Sequence, residues 1–276
     1  MEIAFSKLDE NAAYFVLSDA TTAFANTLRR TMIGEVPTLA IEDVSIYDNN
    51  SVLFDEIIAH RLGLIPLKTD LTVYVPQKDC ACQGAGCPAC MATYTLSAEG
   101  PKTVLSGDLI PADPNAAPAD PNIPIVELSA DQKLVLEARA VVNVGREHAK
   151  WQSIVACGYK MYPIITISEN CDSCGMCVDE CPRGVLQVGP SRKVEVGNAA
   201  ECSLCRLCEQ VCLSGAIGAE SAVHISMDKT RYLFVVESDG SMPAQEIVRR
   251  ALEHIRDKAT STAEMLNEVY GGTLNE

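Results

Sequence analysis

The sequence predicts an α+β chain built from more than one folded part, and three observations carry that prediction. Short strand-like runs separated by turn residues fill most of the 276 positions. Amphipathic helical stretches lie near the two ends, with one shorter helix between them. Around residue 190 a cysteine pattern occurs twice in one register, which marks a small module of its own.

Bulk properties narrow the function classes. A hydrophobic fraction of 47% supports one or two cores with room for a small module beside them. The net charge of −15 argues against a surface made to neutralise phosphates, so no direct, specific DNA binding is expected. The dense basic spots are Arg29-Arg30 and Arg249-Arg250. The opening MEIAFSKLDENAAYF has no basic start, and no apolar run approaches a membrane span, so a cytoplasmic protein without a membrane partner is expected. In that reducing setting thirteen cysteines read as metal ligands.

Element by element, EIAFSKL and AAYFVLS flank Asp9-Glu10-Asn11 and predict a β-hairpin. Phe24, Leu28 and Met32 recur at four-residue spacing, predicting a helix ended by Gly34 and Pro37. Residues 38 to 75 alternate strand-like runs with a short helix at FDEIIAHRL, stopped by Gly63 and Pro66. YTLSA and LVLEARAVVNV are strands on either side of DLIPADPNAAPADPNIP, an irregular loop. HISMDKTRYLFVVESDG returns to strands. The final segment sets Val248, Leu252, Ile255, Ala259 and Leu266 on one stripe of a long helix, with Ser241 as its cap and Pro243 in its first turn. A stripe that long either packs within the chain or outruns it to meet a partner helix.

Cys171, Cys174, Cys177 and Cys181 follow C-x2-C-x2-C-x3-C-P, and Cys202, Cys205, Cys208 and Cys212 repeat the gaps with Leu213 in place of the proline. Three thiolates at this spacing wrap three corners of a [4Fe–4S] cube, and the fourth points to the other cluster. The expected sets are Cys171, Cys174, Cys177 with Cys212, and Cys202, Cys205, Cys208 with Cys181, in a ferredoxin-like module with two [4Fe–4S] clusters.

Cys80, Cys82, Cys87 and Cys90 run C-x-C-x4-C-x2-C on a glycine-containing loop. A closed tetrahedral Zn2+ site is the leading reading, with reduced free thiols or a disulfide as alternatives. GAGCPA matches a dinucleotide fingerprint in form only, because Pro88 and the cysteines oppose the helix start it requires. Cys157 reads as a small buried residue, and His60, His148, His224 and His254 lack ligand spacing. No paired polymerase-type aspartates, P-loop or nucleophile elbow is present, so no catalysis by the chain alone is expected.

Asn26-Thr27-Leu28-Arg29-Arg30, the stretch Asp55-Glu56 with Ala59-His60-Arg61-Leu62-Gly63-Leu64-Ile65-Pro66-Leu67, and GREHAKWQ at 145 to 152 resemble the α-like subunits of cellular RNA polymerases, the archaeal D group in particular. Relatives tend to place Pro where Ser153 stands, and the cysteine loop at 80–90 is similar to the zinc loop of the eukaryotic counterpart, with one extra residue in its central gap. The resemblance covers essentially the whole chain. It implies a discontinuous dimerisation domain from residues 1–44 and 223–276. A mostly β insert domain at 45–165 would carry the cysteine loop at 80–90, followed by the ferredoxin-like domain at 166–222. It further implies a heterodimer with a small L-type subunit, serving as platform for the large catalytic subunits and other small polymerase subunits. On that reading Phe24, Leu28, Val248, Leu252 and Ile255 face the partner, and Arg29 and Arg30 meet a large subunit. Asp55, Glu56, His60 and Arg61 are polar candidates for further contacts. The clusters would hold a module too small to be stable alone. The rival readings are a ferredoxin-type electron carrier with docking domains, and a zinc-bearing DNA-binding module.

Overall fold

In the computed structural model of the protein, residues 1–214 and 221–270 are described. The hairpin forms as β1 (Glu2–Leu8) and β2 (Ala12–Ser18), closed by the Asp9 side chain, which accepts the Ala12 amide at 2.7 Å. Helix α1 (Thr22–Gly34) follows, with Leu28 and Met32 fully buried, Phe24 half-buried and Gly34 at its end. Strand β3 (Pro37–Asn49) leads to α2 (Asp55–Gly63).

After the cysteine loop come β4 (Met91–Glu99), β5 (Lys102–Leu105), β6 (Ile110–Pro111), β7 (Pro124–Leu128), β8 (Lys133–Val144) and β9 (Ile154–Ile167). The repeat region contributes α3 (Met176–Asp179), β10 (Leu186–Val188), β11 (Val194–Val196) and α4 (Leu207–Ser214). One long strand, β12 (Val223–Ser238), and helix α5 (Ala244–Tyr270) complete the order. No helix among the described residues is long and apolar enough to cross a membrane.

Four sheets are present among the described residues, in the orders β1-β2-β12-β9, β3-β8-β4-β6, β5-β7 and β10-β11. The chain divides into two compact units, one of Met1–Ala4, Phe15–Ala25 and Tyr159–Phe234, the other of Phe5–Tyr14, Asn26–Gly158 and Val235–Glu276.

In the second unit β8 is the central strand, antiparallel to β3 and to β4. Its alternate residues Leu134, Leu136, Ala138 and Ala140 are buried, as a strand with one face on a core requires. Ile58 and Leu62 of α2 join that core. The proline-rich segment taken as irregular carries more order than its composition suggests: β6 pairs with β4, β7 pairs with β5, and Tyr94 Oη donates to the Ala116 carbonyl at 2.7 Å.

Three local expectations are corrected. Gly63 does not stop α2 through a left-handed turn, because the chain continues through Leu64 at φ −92°, its N–H bonded to the Arg61 and Leu62 carbonyls. A Cβ at Gly63 would lie 3.5 Å from the Ile41 carbonyl oxygen, an ordinary contact, so the packing against β3 does not itself demand glycine. Residues 64 to 75 form no strand, only the isolated bridge Leu67–Pro118. Ser241 does not cap α5: its buried hydroxyl has no hydrogen-bond partner. Instead the Pro243 carbonyl accepts the Glu246 and Ile247 amides, and the Ala244 amide reaches the Glu10 carbonyl.

Helix α5 has two regimes. Ala244, Ile247, Val248 and Ala251 are buried, and Leu252 and Ile255 are half-buried. Residues 256 to 270 are all exposed, about 22 Å of helix at 1.5 Å per residue.

Candidate metal centres and partner-facing surface

The cysteine loop joins α2 to β4, so Cys90 stands directly before a sheet strand and is buried. Gln83 (φ 52°), Gly84 (φ 85°) and Gly86 (φ 80°) take left-handed conformations and curl the loop on itself. The four sulfurs of Cys80, Cys82, Cys87 and Cys90 thereby lie within 4.8 Å of one another.

The spacing is metal-like in detail. Cys80–Cys87 and Cys82–Cys90 are 3.5 Å apart and Cys87–Cys90 3.9 Å. A zinc–sulfur bond of about 2.3 Å makes the edge of a sulfur tetrahedron about 3.8 Å, whereas a disulfide would be about 2.05 Å. The thiols are not alike, and Cys82 is the one whose surroundings favour the thiolate. The Cys87 backbone N–H and the Cys80 side chain hold the Cys82 thiol down at about 6, while burial pushes Cys90 up to about 12. We expect Cys82→Ser to remove about one zinc per chain in metal analysis. Unchanged zinc content would contradict a four-thiolate site.

In the repeat region the two halves share one backbone device that spacing did not reveal. The residues two and four places after the first cysteine are left-handed in both: Ser173 (φ 62°) and Gly175 (φ 83°), then Leu204 (φ 61°) and Arg206 (φ 61°). Leu and Arg adopt this region only at a cost of about 1 kcal/mol or more, so the loop shape is imposed on them. The turns curl each C-x2-C-x2-C segment before a short helix that carries its third cysteine, α3 for Cys177 and α4 for Cys208.

Each third cysteine lies near other cysteines of the repeat. Cys177, 5% exposed, is pushed up by burial and by the charges of Cys171, Cys174 and Cys212. Burial pushes Cys208 up to about 11, and the charges of Cys202 and Cys181 add to this. Both neighbourhoods cross between the halves. Backbone amides also point at the sulfurs, from Val185 to Cys181 at 3.4 Å, from Leu204 to Cys202 at 3.4 Å and from Ala222 to Cys212 at 3.3 Å. Such N–H···S bonds suit thiolates holding an iron–sulfur cluster. Cys174 and Cys205 are exposed, and Leu213, the departure from the motif, has no described side chain.

Among the described residues the apolar core around these cysteines is small: Leu186, Val194, Val223 and Ile225 are its buried aliphatics, Cys177 and Cys208 sit among them, and residues such as Ile165, Val178 and Val211 pack partly buried against it. With so little to bury, a module of this size needs cross-links, and eight thiolates on metal would provide them.

On the second unit, Arg29, Arg30 and Arg146 line a cleft of about 420 Å³ with Glu35 and Gly145. Gly145 is required there, since a Cβ would lie 2.4 Å from the Ile33 carbonyl oxygen. Arg29 is partly engaged by Asn26 Oδ1, at 3.3 and 3.1 Å, and Arg30 is exposed. Glu35 gathers Arg146 at 3.1 Å, His254 at 3.6 Å and Lys258 at 4.0 Å, a network absent from any motif. Burial and the Lys258 charge hold His254 below its ordinary value.

Arg249 and Arg250 are no phosphate patch: both pair with Glu246, and Arg249 also with Glu253 at 2.5 Å. The Arg249 hydrogen bonds pull Glu246 down to about 2.

Of the residues read as partner-facing, Leu28 and Val248 are 0% and 2% exposed and belong to this chain's own core, so direct contact by them gives way to packing. Phe24, Leu252 and Ile255 are half-buried and retain free surface. Beyond them Met265, Leu266, Val269 and Tyr270 are 48 to 76% exposed. Cys157 is half-buried, and burial pushes its thiol up to about 11, which makes it a poor nucleophile.

Comparison with known proteins places these features together. Residues 44–157 match the RNA polymerase Rpb3/RpoA insert domain, and residues 170–216 a 4Fe-4S dicluster domain. The chain is 51% identical to the DNA-directed RNA polymerase subunit Rpo3 of Methanosarcina acetivorans, over 98% of this chain and 99% of the relative. It is 43% identical to the Archaeoglobus fulgidus subunit of the same name, over 92% and 94%, and 40% to that of Methanosphaera stadtmanae, over 97% and 99%.

Proposed function

We propose a scaffold role for this chain, which belongs to the Rpo3 family of DNA-directed RNA polymerase subunits: it catalyses nothing itself and orders other subunits into the enzyme. The observation that carries this reading is the outer part of α5. An apolar set at Met265, Leu266 and Val269 on the exposed end of α5 is a surface made for a partner helix, not for solvent. The partner is a small L-type subunit, received also by Phe24, Leu252 and Ile255.

The domain plan is 1–44 with 223–276 for pairing, 45–165 for the insert and 166–222 for the iron–sulfur module, supported by the two family matches. Two [4Fe–4S] clusters on the crossed cysteine sets hold that module folded, and one Zn2+ closes the 80–90 loop. Cluster loss under oxygen or iron shortage then weakens assembly.

Purification of the tagged chain from its native cells without oxygen tests the role: a small subunit and the large polymerase subunits should copurify. Oxidoreductases without polymerase would support the electron-carrier alternative instead. The arginine cleft receives an acidic segment of a large subunit. Arg30→Glu, on an exposed side chain, should weaken large-subunit binding by roughly tenfold and leave pairing with the small subunit intact. Equal binding of the large subunit by both forms would remove Arg30 from that interface.

A further inference from the structure

The two ligand loops share one shape but not one charge. Both have left-handed residues two and four places after the first cysteine, so the two C-x2-C-x2-C loops share these turns. In the first loop Asp172 follows Cys171, and its carboxylate accepts the Cys174 amide at 3.0 Å, which fixes a negative charge beside the ligands. In the second loop the same place is Ser203, which is neutral.

A cation approaches the second loop from outside the motif. Lys160 of β9 extends a half-buried side chain, and its ammonium donates to the Ala200 carbonyl at 2.8 Å and to the Cys202 carbonyl at 2.7 Å. Both acceptors are neutral, so these bonds leave the positive charge in place, and the Glu201 carboxylate next to Cys202 offsets part of it, which makes the second loop close to neutral where the first keeps the Asp172 charge. Arg206 does not contribute in the same way, because Glu209 faces it at 3.7 Å.

We propose that Lys160 makes the two clusters inequivalent, so that the cluster on Cys202, Cys205, Cys208 and Cys181 takes up an electron at a higher potential than the cluster on Cys171, Cys174, Cys177 and Cys212. This rests on the two-cluster reading above. The step is a single electron passed from a low-potential one-electron donor, taking one [4Fe–4S] cluster from the 2+ to the 1+ state, with no bond made and no proton moved. A fixed positive charge beside a centre favours its reduced state and a fixed carboxylate opposes it, more strongly where water is partly excluded. Lys160 is a positioning and tuning residue, since it touches the ligand's carbonyl and not the cluster.

The test is a titration of the full, anaerobically reconstituted chain with dithionite, followed by electron paramagnetic resonance. Iron analysis comes first: a chain that binds none fails the cluster reading, whereas about eight irons per chain lets the titration judge this inference alone. Two separate one-electron steps are expected, and Cys174→Ser should remove the lower one. Lys160→Met and Lys160→Gln, the second of which keeps hydrogen-bond donors without the charge, should each lower the upper step. The expected fall in the reduction equilibrium constant is about tenfold, which is about 59 mV for one electron. Lys160→Arg should restore most of it. Overlapping steps in the unaltered chain, loss of the upper step in Cys174→Ser, or an upper step unmoved in both neutral variants would overturn the proposal. Cys174→Ser to assign the steps and Lys160→Gln to move the upper one decide the matter even if Lys160→Met fails to hold iron.

Discussion

Replacing Cys177 and Cys208 together by Ser is expected to unfold the iron–sulfur module and leave the rest of the chain folded. These are the two buried third cysteines, 5% and 8% exposed, and each sits in the small apolar core of the module as well as among its thiolates. Removing a sulfur from each set deletes one ligand per cluster, and the cross-link each cluster supplies goes with it. For small zinc domains, metal binding contributes about 10 to 16 kcal/mol of folding free energy. The buried aliphatics of that core, at about 1.5 to 3 kcal/mol each, fall well short of the entropy of ordering roughly fifty residues, so the module depends on the free energy that metal binding supplies. Iron should therefore fall from about eight per chain towards zero. Limited proteolysis should cut within 168 to 222, while zinc stays on the 80–90 loop. A double variant as protease-resistant as the unaltered chain would mean that the module folds on its apolar core alone.

The second large effect lies on α5. Leu266→Asp with Val269→Asp should abolish pairing with the small subunit without affecting the isolated chain. Both side chains are exposed, at 48% and 76%, so their loss leaves no cavity. In a helix pair each would bury an apolar side chain worth about 1.5 to 3 kcal/mol, and carboxylates would add desolvation. The dissociation constant should rise by roughly 10² to 10⁴-fold, measured by calorimetry or light scattering, with an unchanged melting temperature. Ile247→Ala is the opposite case. At 0% exposure it should destabilise the chain by about 2 to 5 kcal/mol. Binding by the double Asp variant within threefold of the unaltered chain would remove the exposed end of α5 from the interface.

What the sequence made legible was local and periodic. The Asp9–Asn11 turn, the four-residue spacing of Leu28 and Met32, the alternation of β8 and the long stripe of α5 each follow from neighbours a few residues away. The cysteine positions were equally plain, because ligand spacing is a local rule. What stayed hidden depends on residues brought together from afar. The β5–β7 pair spans a proline-rich segment whose composition signals only a loop. Lys160 lies 42 positions before the cysteine whose carbonyl it holds, and Glu35 meets Arg146 across 111 positions. Ser241 looked like a cap by residue type, yet Pro243 and Glu10 supply the acceptors that tertiary packing selected. Leu204 and Arg206 show why left-handed turns escape notice when the residue is not glycine: residue type alone does not signal them. Leu28 and Val248 illustrate a further limit, since a helical stripe does not say which of its residues face the chain's own core.

The most direct test of a scaffold held together by its clusters is a two-stage assembly without oxygen. The chain, with clusters intact or stripped, is first joined to the small subunit and then offered the large subunits, and mass photometry follows the products. Pairing with the small subunit should proceed equally in both forms, because α5 does not depend on iron. Incorporation of the large subunits should be slower and weaker for the stripped form. Equal incorporation by both would contradict the role given to the clusters, and no incorporation by the intact form would contradict the scaffold itself.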